Sequence, residues 1–185
     1  MIKASTSYSA LNSSWHYRGP AIFLHWLLAL LLTGMVALGW YMTAIEDSPG
    51  SEWYFSLHKS IGLIVATLVV LRLVWRLSHA PQALPAHLPQ WKMKFAVLTH
   101  WLLYTCMIVM PATGFLGASL SKDGVAFFGM ALPVWASPNH DLAEQFFGIH
   151  SIAAWVLVAL VTLHALAGLK HLLVDKDGVF QRMWW

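Results

Sequence analysis

Five histidines occupy long apolar stretches of the sequence: His25, His58, His100, His150 and His164. Neutral imidazole binds transition metals, and ionisable side chains inside apolar segments are rarely without a function. Two of the five, His150 and His164, are 14 residues apart. Fourteen residues make almost four helical turns, so both rings should project from one helix face about 21 Å apart. The spacing predicts one helix that offers a metal ligand at each of two levels.

The elements that carry these histidines are four apolar runs, at about 20–42, 54–76, 94–118 and 144–172. Each is long enough to cross about 30 Å of hydrocarbon as a helix. The chain is 58% hydrophobic and 10% charged, whereas soluble domains average about 25% charged. We therefore predict an all-α integral membrane protein, a four-transmembrane-helix bundle over residues 18–176 with short tails at 1–17 and 177–185.

Basic residues are distributed unequally between the two sides of this predicted bundle. One side carries only Lys59 and Lys122, and the other carries Lys3, Arg18, Arg72, Arg76, Lys92, Lys94, Lys170, Lys176 and Arg182. The positive-inside rule then predicts that both termini are cytoplasmic. Because the basic residues mostly flank spans, the net charge of +3 indicates topology and membrane lipid contacts, and no nucleic-acid partner is expected.

Depth within the spans sorts four histidines into two pairs. His25 lies about five residues into the first span and His164 about six residues from Lys170, so both lie roughly 8 to 10 Å inside the cytoplasmic boundary. His58 and His150 share a level near the outer boundary. Two imidazoles on one iron suit a low-spin haem that transfers electrons, and the sequence has no Cys-x-x-Cys-His motif for covalent attachment. We predict two non-covalent b haems, with His58/His150 at the outer iron and His25/His164 at the inner one.

The remaining candidates are less specific. His100 enters the third span at nearly the depth of His25 and could replace it as a ligand, although a position near a haem edge or a quinone is preferred. Haem propionates need cationic partners near the membrane interface. Arg18, Arg72 and Arg76 are candidates at the inner level and Lys59 at the outer level, and snorkelling of each arginine to the interface is the alternative explanation.

The histidine-bearing segments resemble the prokaryotic cytochrome b561 family. They are "FLHWLLALLLTGM", "LHKSIGLIVATLVVLRLVWR", "LTHWLLYTCMIVMPATGFL" and "GIHSIAAWVLVALVTLHALAGLKH", and the resemblance runs from about Tyr17 to Trp185. It implies iron ligands on the first, second and fourth helices, which here are His25, His58, His150 and His164. His100 matches a family position that is not a ligand.

The resemblance also implies a function in the bacterial inner (cytoplasmic) membrane. Similar proteins carry electrons between ubiquinone and a second partner, and some oxidise superoxide. We therefore expect a quinone-linked oxidoreductase with ubiquinone as substrate. Its donor at the outer face is expected to be a small molecule or a protein, and superoxide is one candidate. The alternatives are an electron-carrier subunit of a dehydrogenase or hydrogenase, and a haem-free metal or proton transporter. The transporter is disfavoured because no Asp or Glu lies in a span core.

Two further predictions concern the loops and the quinone. The outer loop at about 119–143 contains "GVAFFGMALPVW", which is too short to span a membrane and too apolar for a free loop. We predict a cap over the outer haem edge, anchored by Phe127, Phe128 and Trp135. Candidates for hydrogen bonding to a quinone carbonyl on the cytoplasmic side are two pairs, His100 with Trp101 and Lys170 with His171.

Overall fold

The computed structural model describes residues 16–79, 89–134 and 136–184. Four long helices dominate it: α1 (Gly19–Ala44), α2 (Ser51–Ser78), α3 (Gln90–Leu120) and α4 (His140–Lys170). All four are long and apolar enough to cross a membrane. The predicted four-helix membrane bundle is therefore confirmed. Most of the 77–93 loop and Trp135, one of the predicted cap anchors, lie outside the described residues.

Most helix ends extend a few residues beyond the predicted apolar spans, because a helix can continue into the polar interface where its terminal groups find partners. Pro20 occupies the first turn of α1, where its missing N–H costs nothing. The side chain of Asn139 caps α4 by accepting from the Leu142 N–H at 3.1 Å. After Lys170 the chain widens into a π-helix, His171–Asp175, an element that often marks functional positions.

Neighbouring helices in the chain pack together, α1 on α2, α2 on α3 and α3 on α4, whereas α1 and α4 are bridged by side chains such as Trp40 and Trp155. The apolar core forms a layer in the middle of the bundle, with Leu157 and Val69 fully buried. Its members come from all four helices: Leu28, Leu32, Met35, Val65, Val69, Leu103, Met110, Ala153 and Leu157. This layer separates the predicted outer and inner histidine levels.

The outward faces of the helices are apolar as well. Leu30, Ile152 and Phe95 are 72%, 67% and 61% exposed, and large side chains of this kind appear along all four helices. A water-soluble protein rarely exposes contiguous apolar surface on this scale. The outward faces are therefore suited to contact lipid.

A short β-hairpin caps one end of the bundle. Strands β1 (Ala126–Phe127) and β2 (Met130–Ala131) pair antiparallel, and both turn residues, Phe128 and Gly129, have positive φ of 45° and 87°, as a type I′ hairpin requires. The Phe128 N–H donates to the hydroxyl of the fully buried Ser60 on α2 at 2.9 Å. The outer loop is thus docked on the bundle. We call this end the hairpin end.

The opposite end holds both termini of the described chain. The backbone N–H of Tyr17 donates to the carbonyl of Arg182 at 3.0 Å. Arg182 belongs to a 3₁₀ helix, Phe180–Met183, and residues 177–184 fold back onto α1. We call this stretch the C-terminal segment and this end the terminal end. Composition alone predicts only a tail here, because the docking of this segment depends on contacts with residues more than 150 positions earlier.

Candidate cofactor site

Two pairs of histidine rings face each other across the bundle, one pair at each end. His58 on α2 and His150 on α4 lie 6.1 Å apart between ring centroids, with the rings at 79°. His25 on α1 and His164 on α4 are also 6.1 Å apart, at 74°. All four side chains are half-buried. The depth arithmetic from the sequence therefore predicts which rings the fold brings together.

The ring separation can be compared with that of two imidazoles on one metal ion. With metal–nitrogen bonds of about 2.0 to 2.1 Å, and each nitrogen about 1.1 Å from its ring centre, trans imidazoles would have centroids about 6.3 Å apart. Both pairs agree with this separation within a few tenths of an ångström. The donor set also fits, because two neutral imidazoles are the ligands that a low-spin haem iron takes in an electron carrier.

His150 is held in the orientation that a metal ligand needs. Its Nδ1 lies 2.7 Å from the carbonyl oxygen of Met110 on α3, and a ring N–H that donates to a carbonyl leaves the other nitrogen with a free lone pair. The ring also passes directly over Gly114, where an added Cβ would lie 2.7 Å from Nδ1. A glycine at this position is therefore a condition for the close approach of His150 to α3.

His58 lies against α1 and has an unused polar atom. Its Nδ1 is buried and has no hydrogen-bond partner among the described residues. The ring faces Gly39, where an added Cβ would be in ordinary contact at 3.5 Å from Cε1. A buried polar atom without a partner costs free energy, and a metal bound to that nitrogen would remove the cost.

His25 is contacted by a half-buried cation. Arg72 on α2 donates from Nη1 to the carbonyl of Ala21 at 2.9 Å, and its Nη2 lies 3.2 Å from Nδ1 of His25. A guanidinium can only donate, so Nδ1 must supply the lone pair for this contact. A neutral imidazole on a metal has its other nitrogen protonated. His25 therefore cannot bind a metal while Arg72 donates to its Nδ1.

His100 lies at the same level as the terminal-end pair. Its ring is 5.3 Å from that of His164, at 77°, which is about 1 Å shorter than trans ligation requires. Its Nδ1 lies 2.6 Å from the carbonyl of Ala96 one turn earlier, and its side chain is exposed. The ring separations therefore favour His25 over His100 as the partner of His164. His100 lies beside this pair.

The predicted cations divide between the two ends. Lys59 donates to the carbonyl of Gly124 at 3.2 Å, so in this structure it fastens the outer loop to α2. Arg76 donates to the hydroxyl of Tyr17 at 3.4 Å and lies near Arg72 at the terminal end. Arg18 is exposed immediately before α1.

Comparison with known proteins agrees with this architecture. The family model described as prokaryotic cytochrome b561 matches residues 16–185. The chain belongs to the prokaryotic cytochrome b561 family. It is therefore a bacterial multi-pass membrane protein that transfers electrons, and the cofactor of its family is b-type haem.

Individual relatives cover nearly the whole chain. Cytochrome b561 homolog 2 of Escherichia coli (strain K12) is 31% identical over 180 residues, 95% of this chain and 94% of that protein. Cytochrome b561 homolog 1 of the same strain is 27% identical over 169 residues, 88% of this chain and 93% of that protein. A probable superoxide oxidase CybB of Yersinia pestis is 29% identical over 166 residues, 88% of this chain and 92% of that protein.

Sequence reasoning missed three features of the site. It did not anticipate the Met110 carbonyl that orients His150, since a backbone acceptor has no residue signature. Gly114 lies in the third apolar run, but nothing in the sequence indicates that the His150 ring packs on it. Sequence reasoning counted Arg182 only as a basic residue of the cytoplasmic side, although this side chain is 4% exposed and packed at the terminal end.

Proposed function

We propose that this member of the cytochrome b561 family holds two b haems and carries electrons between a donor at its outer face and ubiquinone. The observation that carries the proposal is the pair of facing imidazoles at each of two levels, with the same 6.1 Å separation. His58 and His150 would hold the outer haem, and His25 and His164 the inner one. Haem iron held by two imidazoles changes its charge with little geometric change and so supplies single-electron transfer.

The charge distribution supports an orientation with the terminal end in the cytoplasm of a bacterial inner membrane. Nine of the eleven Lys and Arg residues flank the spans on that side, as the positive-inside rule requires of cytoplasmic loops. The hairpin end would then face outward, and the N and C termini would both be cytoplasmic.

A quinone site at the cytoplasmic end is supported by the surroundings of His171. This residue follows His164 by seven positions, close to two turns, and so lies near the same helix face about 10 Å nearer the cytoplasm. Its Nδ1 is 2.7 Å from a carboxylate oxygen of Asp177. A histidine oriented by a carboxylate can donate to a quinone oxygen and transfer protons. Neighbouring Lys170 is bound to Asp175 at 2.6 Å and is therefore the weaker candidate of the pair.

The second predicted quinone position lies on α3. Trp101 lines an apolar groove of about 530 Å³ that runs along the terminal end of α3, with Gln90 and Lys94 among its other lining residues. Such a groove suits an isoprenoid or acyl tail better than a quinone head group, because few of its lining side chains are polar. We therefore propose His171 as the head-group contact and the groove as a site for a tail.

The outer donor is proposed to be small. The docked hairpin lies over the end of α2 that carries His58, held through Ser60 and Lys59, and this would restrict access by a large partner. The relative from Yersinia pestis named as a probable superoxide oxidase makes superoxide a candidate. The outer segments offer little electrostatic attraction to an anion, because they carry Glu46, Asp47, Glu52, Asp123, Asp141 and Glu144. We therefore propose a quinone-linked oxidoreductase in which superoxide is one donor to be tested.

The testing experiment is a reduced-minus-oxidised absorption spectrum of the purified protein with haem counted per chain. We expect two b haems in the wild type and one in each of His150→Ala and His164→Ala. His140→Ala, which removes an exposed histidine from the first turn of α4, is the matched control and should retain both. Absence of haem in the wild type, or loss of both haems in each single variant, would contradict the two-pair assignment.

A second measurement separates an autonomous oxidoreductase from a carrier subunit. The purified protein is mixed by stopped flow with superoxide and a water-soluble ubiquinone analogue, and haem reduction and quinol formation are followed. An autonomous enzyme should form quinol at a rate that depends on the protein. Two intact haems without quinol formation would favour the carrier-subunit alternative.

A further inference from the structure

Three arginines converge on one aromatic ring at the terminal end. Arg76 donates to the hydroxyl of Tyr17 at 3.4 Å, and the guanidinium of Arg182 lies over the Tyr17 ring, 5.2 Å from its centroid. Arg72 interacts electrostatically with both Tyr17 and Arg76. Three guanidinium groups therefore gather near Tyr17 at the edge of an apolar bundle, a grouping that suits an anionic ligand.

Arg182 reaches this cluster because the C-terminal segment is fastened to α1. The indole N–H of Trp26 donates to the carbonyl of Met183 at 2.7 Å, and Trp26 and Trp184 meet edge to face at 5.5 Å. On the α4 side, Phe180 packs over Gly168. The segment therefore lies across the space between α1 and α4, and the side chain of Arg182 within it is only 4% exposed.

The cluster is adjacent to the proposed inner iron site. Trp26, which holds the segment, follows His25 directly and its ring lies 5.4 Å from the His25 ring. Arg72 contacts His25 itself, and this contact must break when His25 binds a metal. Ligation would thus release the half-buried Arg72 guanidinium beside two others, at the level where a haem bound by His25 and His164 would need partners for its carboxylates.

We propose that Arg182, presented by the docked C-terminal segment, binds a carboxylate of the inner haem together with Arg72 and Arg76, and that the segment closes this haem site. The inference rests on the two-haem function proposed above. Guanidinium groups bind carboxylates and phosphates alike, so an anionic lipid head group has the same chemistry. The haem carboxylate is favoured because Arg182 is buried beside the His25 level and not displayed at the surface.

The test uses the full-length protein in nanodiscs of zwitterionic phosphatidylcholine, with excess apomyoglobin as acceptor for released haem. The variants are Arg182→Gln, Arg182→Lys and, as a control for charge, Lys176→Gln, which removes an exposed cation from the same end of the bundle. The His164→Ala protein supplies the spectrum of the outer haem alone. Haem transfer and the midpoint potential of each haem are measured.

Arg182→Gln should speed the loss of one haem per chain, the inner one, by about tenfold or more, as expected when a charge-assisted hydrogen bond is removed. The midpoint potential of the same haem should fall, because a nearby cation favours the reduced form. Arg182→Lys should restore the potential, and its transfer rate should be intermediate because an ammonium lacks the paired donors of a guanidinium. Lys176→Gln should behave as wild type.

A second variant separates the effect of losing the Arg182 charge from the effect of loosening the C-terminal segment. Trp26→Phe removes the hydrogen bond to Met183 without altering a charge, and it should speed loss of the inner haem by less than Arg182→Gln while leaving its potential almost unchanged. Equal loss of both haems in Arg182→Gln, or wild-type transfer rates, would overturn the inference. So would an effect seen only after anionic lipid is added, which would assign Arg182 to a head group. A wild-type protein without haem would instead defeat the proposed function.

Discussion

The substitution Gly114→Ala tests most directly how the outer haem site is built. A Cβ at position 114 would lie 2.7 Å from Nδ1 of His150 and 2.9 Å from Cε1, whereas ordinary van der Waals contact begins at 3.4 Å. If the ring moves to relieve the contact, it must withdraw by about 0.7 Å. A displacement of that size away from α3 would stretch the 2.7 Å bond to the Met110 carbonyl to about 3.4 Å, outside the usual range for a hydrogen bond.

The expected cost follows from the loss of that contact. Partners that orient a metal ligand are typically worth about 10- to 100-fold in affinity, so Gly114→Ala should weaken the outer haem by this factor and leave the inner haem unchanged. Haem per chain and transfer to apomyoglobin measure the effect. The matched control is Gly34→Ala on α1, where an added Cβ meets nothing within 4 Å, and it should retain both haems.

Two results would refute this reasoning. Wild-type retention of both haems in Gly114→Ala would mean that α3 can move aside without cost, so that the glycine does not set the position of His150. Preferential loss of the inner haem would mean that His150 does not belong to the outer pair. Either result would be visible in the same spectra, provided that the Gly34→Ala protein is normal.

Three further predictions concern other parts of the molecule. Ser60→Ala removes the acceptor for the Phe128 N–H and should destabilise the hairpin by about 1 kcal/mol, measured as faster amide hydrogen exchange over residues 124–131. His100→Gln should retain two haems per chain in the absorption spectrum, because its ring is too close to the terminal-end pair for trans ligation. Asp177→Asn should slow quinol formation by roughly tenfold without altering haem content, because a neutral amide orients and stabilises charged His171 less well.

Each of these three predictions has a contradicting result, and two of them have a control variant in the same chain. Thr67→Ala removes a hydroxyl that donates to the Leu63 carbonyl of its own helix, and it should not affect exchange in the hairpin. Asp141→Asn, at the far end of α4, should not affect quinol formation. Unchanged hairpin exchange in Ser60→Ala, one haem in His100→Gln, or wild-type quinol formation in Asp177→Asn would each contradict the corresponding prediction.

The helices could be predicted almost completely from the sequence, because a span across lipid must be apolar over about 20 residues whatever its neighbours are. The ends were less predictable. The run that ended near 172 in the sequence divides into α4 and a π-helix beginning at His171. The change in helical period there accompanies bonds from Asp175 and Asp177 to Lys170 and His171, which apolar content cannot reveal.

The histidine pairing was predictable for a similar reason. In a bundle of membrane helices, depth is proportional to residue number, so counting from each boundary indicates which rings can meet. The partners of those rings were not predictable, because Met110 and Arg182 reach the site through the packing of α3 and the folding back of the C-terminal segment. Lys59 was expected near a propionate and instead donates to Gly124, a loop carbonyl whose position depends on the hairpin turn.

The position of α4 has a consequence for biosynthesis. It is the last of the four helices to be translated, and on the proposed assignment it supplies one ligand to each iron, His150 and His164. Neither iron could gain its second histidine before this helix has entered the membrane, and the inner site would stay open until Arg182 has left the ribosome. Haem insertion would therefore follow the synthesis of α4, and a chain truncated before α4 would be a colourless three-helix protein.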